Sequence, residues 1–87
     1  MVDHLIVHTT VNEVVDGAIR NVTLTVLKAE SQVLSATVKI DETGTKAKLA
    51  KAIVNSHDET CVKKAMDQIV MELSRKGIEK ILFDSLE

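Results

Sequence analysis

The stretch that most constrains the fold of this chain runs from Ser56 to Phe83, because it contains a helix with a readable start and end. Apolar residues recur there at spacings of i, i+4, i+7, i+8 and i+11, which places them on one face of a helix. Those residues are Val62, Met66, Ile69, Val70 and Leu73. The pattern predicts an amphipathic helix that packs one face against the rest of the chain.

Both ends of this helix carry local signals. Ser56 and Glu59 have the spacing of a capping box, and Asp58 is an alternative N-cap, so two starting points remain open. Gly77 can take the left-handed conformation that commonly closes a helix. The apolar segment 78–83 that follows predicts a short buried strand, and we expect both of its faces to be covered.

Two segments before the helix alternate apolar and polar residues, as half-buried strands do. They span residues 22–28 and 33–40 and are joined by a tight connection. The positions predicted to face the core are Val22, Leu24, Val26, Leu34, Ala36, Val38 and Ile40. A turn at residues 41–44 follows, with Gly44 available for a positive φ.

Two further segments allow alternative structures. Within residues 11–20 the apolar residues recur with helical spacing, which favours a helix of about ten residues. The alternative is a hairpin that turns at Asp16-Gly17, since this pair is a strong turn signal. Residues 46–54 can form a helix or a third hairpin strand, and we expect the strand, with Ala47 and Leu49 inward, because the next helix begins so soon afterwards.

With a short strand at residues 5–7, these elements predict one domain over residues 1–87 with an α+β fold. Its small antiparallel sheet would have the element order β-α-β-β-β-α-β, with the long C-terminal helix packed on one face. Strand, helix, three strands and helix is similar in order to the fold of ribosome-hibernation factors and double-stranded-RNA-binding domains. This resemblance of element order implies an RNA- or ribosome-associated domain and carries over no site residue.

Composition narrows the function classes. The chain has 87 residues, a net charge of −2, one cysteine, one phenylalanine and no tryptophan or tyrosine. One cysteine cannot form an internal disulfide, which favours a reducing compartment, and we expect the cytoplasm. No apolar stretch approaches the roughly 20 residues of a membrane span. The sequence also contains no glycine-rich phosphate loop, G-x-S-x-G or H-E-x-x-H motif, so we expect no enzyme activity and no cofactor.

The one pair that could carry chemistry is His57 and Cys61, four residues apart at the helix start. That spacing could place both side chains on one metal ion, but zinc requires four ligands and the remaining two have no candidates nearby. Cys61 could also act as a nucleophile, although no accompanying histidine and carboxamide pattern is present. We therefore expect a solvated histidine and a structural thiol, with no catalytic or metal site.

Two non-catalytic functions remain. Met71 lies opposite the apolar face of the helix, and Leu82 lies opposite the other apolar residues of the last strand, including Phe83. These surplus apolar residues predict a protein-protein interaction module that docks to itself, as a homo-oligomer, or to another protein. The alternative is RNA binding by a basic surface, although no aromatic residue accompanies it for base stacking. That surface would comprise Lys46, Lys48, Lys51, Lys63 and Lys64.

Overall fold

The computed structural model describes residues 4–82, which form five strands and one helix. In chain order these are β1 (Leu5–Val15), β2 (Ala18–Lys28), β3 (Ser31–Ile40), β4 (Lys46–Val54), α1 (Glu59–Arg75) and β5 (Lys80–Leu82). The strands form one sheet in the order β1-β2-β3-β4-β5. Strands β1 to β4 are antiparallel neighbours, whereas β5 pairs parallel to β4. The predicted α+β class is confirmed, but the sheet is mixed rather than antiparallel.

The helix predicted over residues 11–20 is wrong, because this segment forms the end of the β1–β2 hairpin. The chain turns at Asp16 and Gly17, with φ angles of 52° and 82°, as a two-residue type I′ turn requires. The last two residues before the turn, Val14 and Val15, are both exposed, at 56% and 40%. Apolar residues on both faces of the hairpin end therefore produced a helix-like spacing, while the β-branched side chains favour a strand.

The observed element order is β-β-β-β-α-β, so the similarity of order to ribosome-hibernation factors and double-stranded-RNA-binding domains does not hold.

A second two-residue turn joins β2 to β3. Its central residues, Ala29 and Glu30, have φ angles of 50° and 70°. Neither is a glycine, and the left-handed region costs an L-residue about 1–2 kcal/mol. The long antiparallel ladder on either side holds them in this conformation.

The core lies between α1 and one face of the sheet. All the inward positions predicted for β2 and β3 are buried, as are Ala47 and Leu49 of β4, which confirms that residues 46–54 form a strand. The buried residues of α1 are Cys61, Ala65, Ile69 and Leu73. Val70, predicted to lie on the contact face, is 38% exposed. The buried face of α1 is therefore rotated from the predicted one toward Ala65.

The start of α1 is set by Asp58 rather than Ser56. The Asp58 carboxylate accepts hydrogen bonds from the backbone N–H groups of Thr60, at 3.0 Å, and Cys61, at 3.3 Å. The Ser56 hydroxyl instead accepts from the Asp58 N–H at 3.1 Å. Of the two predicted starts, the capping box at Ser56 is wrong and the N-cap at Asp58 is correct.

The end of α1 follows the prediction. Gly77 has a φ of 92°, and the N–H of Ile78 donates to the Leu73 carbonyl at 3.1 Å. Ile78 is buried, and Ile81 of β5 packs against the core. Leu82, however, is 41% exposed, so β5 is not covered on both faces as predicted. Within residues 4–82 the structure contains no helix with the length and apolarity that crossing a membrane requires.

Candidate functional site at the edge and open face of the sheet

The face of the sheet opposite α1, here called the open face, carries mostly hydroxyl and lysine side chains. Residues on adjacent strands lie directly opposite one another and form rows across it. One row contains Thr10, Thr23, Thr37 and Lys51, and the next contains His8, Thr25, Ser35 and Ile53. These residues alternate with the buried positions of the same strands.

The hydroxyl groups in these rows bond to one another. The Thr23 and Thr37 hydroxyl oxygens are 3.0 Å apart, and those of Thr25 and Ser35 are 3.4 Å apart. The Asn12 side-chain amide donates to the Thr23 hydroxyl at 2.7 Å. The centre of the open face is therefore polar, uncharged and ordered by cross-strand hydrogen bonds.

Lysines lie beside these hydroxyls on β3, β4 and β5 and form a group that we call the lysine patch. Its members are Lys39, Lys46, Lys48, Lys51 and Lys80, all exposed. They belong to the open face because they alternate with core residues such as Ile40, Ala47 and Ile81. The sheet register places Lys39 opposite Lys48 and Lys46 opposite Lys80. Like charges directly opposite each other, as at Lys46 and Lys80, do not stabilise a strand pair.

The lysines predicted to form one basic surface are divided by the fold. Lys46, Lys48 and Lys51 lie in the lysine patch, whereas Lys63 and Lys64 lie on α1, on the other side of the sheet. Sequence reasoning missed Lys39 and Lys80 as members of the patch. Lys39 could have been found from its outward position in the alternation of β3, but Lys80 required the parallel pairing of β5.

A shallow depression of about 350 Å³ lies at one end of the lysine patch. Its polar rim is formed by Arg20, Asp41 and three lysines of the patch, and its apolar part by Ile40, Ala47 and Leu82. The Arg20 Nε donates to the Ile40 carbonyl at 2.9 Å, which holds the guanidinium at the rim. The depression thus combines positive charge with an apolar floor.

Asp41, the acidic residue of this rim, is committed to the β3–β4 turn. Its carboxylate accepts from the Thr43 hydroxyl at 2.8 and 2.9 Å and from the Lys46 N–H at 3.2 Å. The hydrogen bond from Thr43, helped by backbone N–H groups, holds the pKa of Asp41 below its ordinary value of 3.8. The carboxylate is therefore ionised at neutral pH and stabilises the turn.

Replacing Asp41 with asparagine is expected to lower the melting temperature at pH 7, because the lost charge weakens these hydrogen bonds. The folded-state pKa lies below the unfolded one, so the stabilisation is complete above pH 3.8 and is lost as the pH falls through the lowered value. The difference in melting temperature between the two proteins should therefore shrink below pH 3.8. Circular dichroism melts from pH 7 to pH 2 measure this, with Glu42→Gln in the same turn as the control. A difference independent of pH would contradict the proposed role.

The second candidate feature is the outer edge of β1. In the part of the chain that the structure describes, β1 is the terminal strand beside β2 and has no neighbour on its other side. Its 11 residues include no lysine, arginine or proline. Ile6 and Val11 are exposed at 61% and 45%. Natural sheets usually protect such edges with charges, prolines or bulges.

A bulge does interrupt β1, but only toward the hairpin end. The register shifts lie between Val11 and Glu13 and between Glu13 and Val14. Residues 5–11 pair regularly with β2, at seven consecutive positions. This half of the edge is regular, rich in β-branched residues and unprotected, so it offers a template for pairing with another strand.

The residues predicted to make protein contacts do not form one surface. Met71 is 49% exposed on the outer side of α1, whereas Leu82 is on the open face beside the lysine patch. Phe83 lies outside the described residues. A single contact patch therefore cannot contain both Met71 and Leu82, and the role of either in binding stays a prediction.

The pair considered for chemistry is also separated. Cys61 is buried on the inner side of α1, while His57 is exposed in the loop before the helix. Helical i, i+4 geometry therefore does not apply to them. Among residues 4–82, no group of three or more histidine, cysteine or acidic side chains is placed to hold a metal ion.

Comparisons with known proteins identify a similar fold. No family model matches this chain, and no curated protein matches it. Among solved structures it is similar to a ribosomal-protein-alanine N-acetyltransferase from Brucella melitensis biovar Abortus 2308, with a TM-score of 0.58 and 11% sequence identity. The match covers 75% of this chain and 50% of that one, so this chain spans about half of the acetyltransferase. At this identity the likeness concerns the fold alone.

Proposed function

We propose that this protein is a non-enzymatic interaction module that assembles with a second copy of itself through the edge of β1. The observation that carries the proposal is the regular, uncharged and proline-free edge at residues 5–11. An edge of this kind binds another strand through main-chain hydrogen bonds. Because two copies present the same edge, antiparallel pairing of β1 with itself gives a closed, two-fold symmetric dimer.

The regular segment defines the register of this pairing. Residues 5–11 paired antiparallel with the same residues of a second copy are centred on His8. Leu5 of one copy then lies opposite Val11 of the other, and Ile6 lies opposite Thr10. Opposed residues point to the same side of a sheet, so the helix-side residues of both copies meet on the helix side.

This arrangement would bury apolar surface that the monomer exposes. Val11 is 45% exposed on the helix side, and Leu5 and Val7 are only partly buried there. Pairing places these side chains next to their counterparts, which extends the core across the seam. The result would be a continuous ten-stranded sheet with both copies of α1 on one side.

The likeness to an acetyltransferase does not support a catalytic function here. It is a similarity of fold at 11% identity over half of the other chain. In addition, the Asp58 carboxylate occupies backbone N–H groups at the start of α1, the position where a helix can bind a phosphate group. A negative side chain at that position disfavours a bound anion.

Disulfide crosslinking tests both the edge and its register. In a Cys61→Ala background, His8→Cys is expected to form a covalent dimer on mild oxidation, because the two side chains lie opposite each other, with Cβ atoms about 5 Å apart. Thr10→Cys is the matched control. Its counterpart in the other copy is offset by four residues, about 13 Å along the strand, which is too far for a disulfide.

Non-reducing electrophoresis and light scattering measure the outcome. We expect a mass near 19 kDa for the unmodified protein, twice the 9.5 kDa of the chain. Crosslinking of Thr10→Cys but not of His8→Cys would reject the proposed register. A monomer at all concentrations, with neither variant crosslinked, would reject self-association through β1.

A further inference from the structure

The charges of this protein are segregated between the sheet and its surroundings. The chain as a whole has 13 acidic and 11 basic residues. Strands β2 to β5 nevertheless contain no aspartate or glutamate and seven lysines or arginines. Helix α1, in contrast, has three acidic and three basic residues. The positive charge is therefore concentrated on the sheet, and five of its seven bases form the lysine patch on the open face.

From this segregation we infer that the lysine patch binds single-stranded nucleic acid through its phosphate backbone. Lys39 faces Lys48, and Lys46 faces Lys80. Lys46 and Lys80 are both exposed and repel each other, and a polyanion laid across the patch would offset that repulsion. Charge complementarity thus indicates an occupant that carries several regularly spaced negative charges.

Neighbouring groups favour a nucleic acid over other polyanions. The patch extends along β4 from Lys46 to Lys51, on the order of 15 Å, which is enough for several successive phosphates. Thr37 lies directly opposite Lys51, and threonine hydroxyls commonly contact phosphate and sugar oxygens. The depression beside Lys48 has an apolar floor that includes Leu82, which can receive a sugar or a base.

The same residues predict how selective the binding is. Residues 4–82 contain no phenylalanine, tyrosine or tryptophan on which bases could stack, and none of the three histidines lies on β3, β4 or β5. Contacts to the backbone carry little sequence information, so we expect binding that tolerates different sequences. A single strand, rather than a duplex, can lie flat across the open face with its sugars and bases accessible.

The test uses the full chain and a fluorescein-labelled 20-nucleotide poly-uridine RNA, with binding measured by fluorescence anisotropy. Contacts to three or four phosphates predict a slope of about −2 to −3 for log K against log salt concentration. Raising the salt from about 50 to 200 mM should then weaken binding by roughly 20- to 50-fold.

Two double variants, each of which removes two positive charges, test which surface binds the RNA. Lys39→Gln with Lys51→Gln removes two lysines from the patch and is expected to weaken binding roughly tenfold and to flatten the salt slope by about 1.4. Lys63→Gln with Lys64→Gln removes two exposed lysines from α1 and should change affinity less than about twofold. Circular dichroism melts should show that both variants stay folded with nearly unchanged melting temperatures, because all four substituted lysines are exposed.

Three results would overturn the inference. They are no RNA binding at low salt, equal loss of affinity in the two double variants, and binding to phosphatidylserine vesicles without binding to RNA. The inference is independent of self-association, because the patch occupies β3 to β5 whereas the proposed seam is β1. A monomer that binds RNA through the patch would support this inference and contradict only the proposed dimer.

Discussion

Introducing lysine at both Ile6 and Thr10 is expected to separate the proposed dimer into monomers. In the pairing centred on His8, residue 6 of each copy lies opposite residue 10 of the other, so the double variant creates two opposed lysine pairs. Both positions are exposed, with Ile6 at 61%, so the core of each copy is unaffected. Like charges juxtaposed across an interface cost several kcal/mol, which corresponds to a dissociation constant at least about a hundredfold higher. Light scattering over a concentration series measures it.

Opposite charges at the same two positions are expected to restore the dimer. Mixing the lysine variant with Ile6→Glu plus Thr10→Glu should restore a dimer that contains one copy of each, identified by native mass spectrometry. Each variant alone should remain monomeric. Met71→Glu with Leu82→Lys is the control, because these residues lie on α1 and on β5, away from the edge of β1. Loss of the dimer in this control, but not in the lysine variant, would move the interface from β1 to the surfaces of Met71 and Leu82.

Replacing Leu73 with alanine is expected to lower the free energy of unfolding by about 2–5 kcal/mol. Leu73 is fully buried between α1 and the sheet, and its carbonyl also accepts the N–H of Ile78 after the helix. The substitution leaves a cavity in a core built without tryptophan or tyrosine. A domain of this size has a total stability of roughly 4–13 kcal/mol, so the loss is a large share of it.

Urea denaturation followed by circular dichroism at 222 nm measures this effect without an aromatic probe. The matched control is Met71→Ala, a truncation two residues away on the outer side of the same helix, where the side chain is 49% exposed. We expect its effect to stay within about 0.5 kcal/mol. Similar losses in both variants would contradict the role of Leu73 burial, since alanine is the better helix former and neither substitution lowers helix propensity.

The parts of the fold that the sequence predicted correctly depend on local rules. Alternation with a period of two placed β2 and β3 and their inward residues, because successive side chains of a strand point to opposite faces. Gly77 marked the end of α1, because a left-handed residue there requires no tertiary partner. For the same reason Asp58 was recognisable as one of two possible N-caps, since its carboxylate bonds to N–H groups two and three residues later.

The parts that it missed depend on exposure and on distant pairing. Residues 11–20 carry exposed apolar side chains on both faces of a hairpin end, so neither periodicity describes them. The parallel pairing of β5 with β4 arises only after α1 has crossed the sheet. The lysine patch depends on pairing in the same way, because strand register places Lys39 opposite Lys48. Lys63 and Lys64 lie on α1, on the other side of the sheet.

The sequence by itself therefore determined the strands within residues 22–40, the helix that ends before Gly77 and the short strand after it, and for residues 46–54 it favoured a strand over a helix. Each of these elements is specified either by hydrogen bonds between residues close in the chain or by the spacing at which its apolar residues recur. Only the tertiary structure decided which strand lies at the edge and which lysines share a face. Both properties belong to pairs of strands rather than to single segments, and the sheet register brings these strands together through backbone hydrogen bonds that every residue can make.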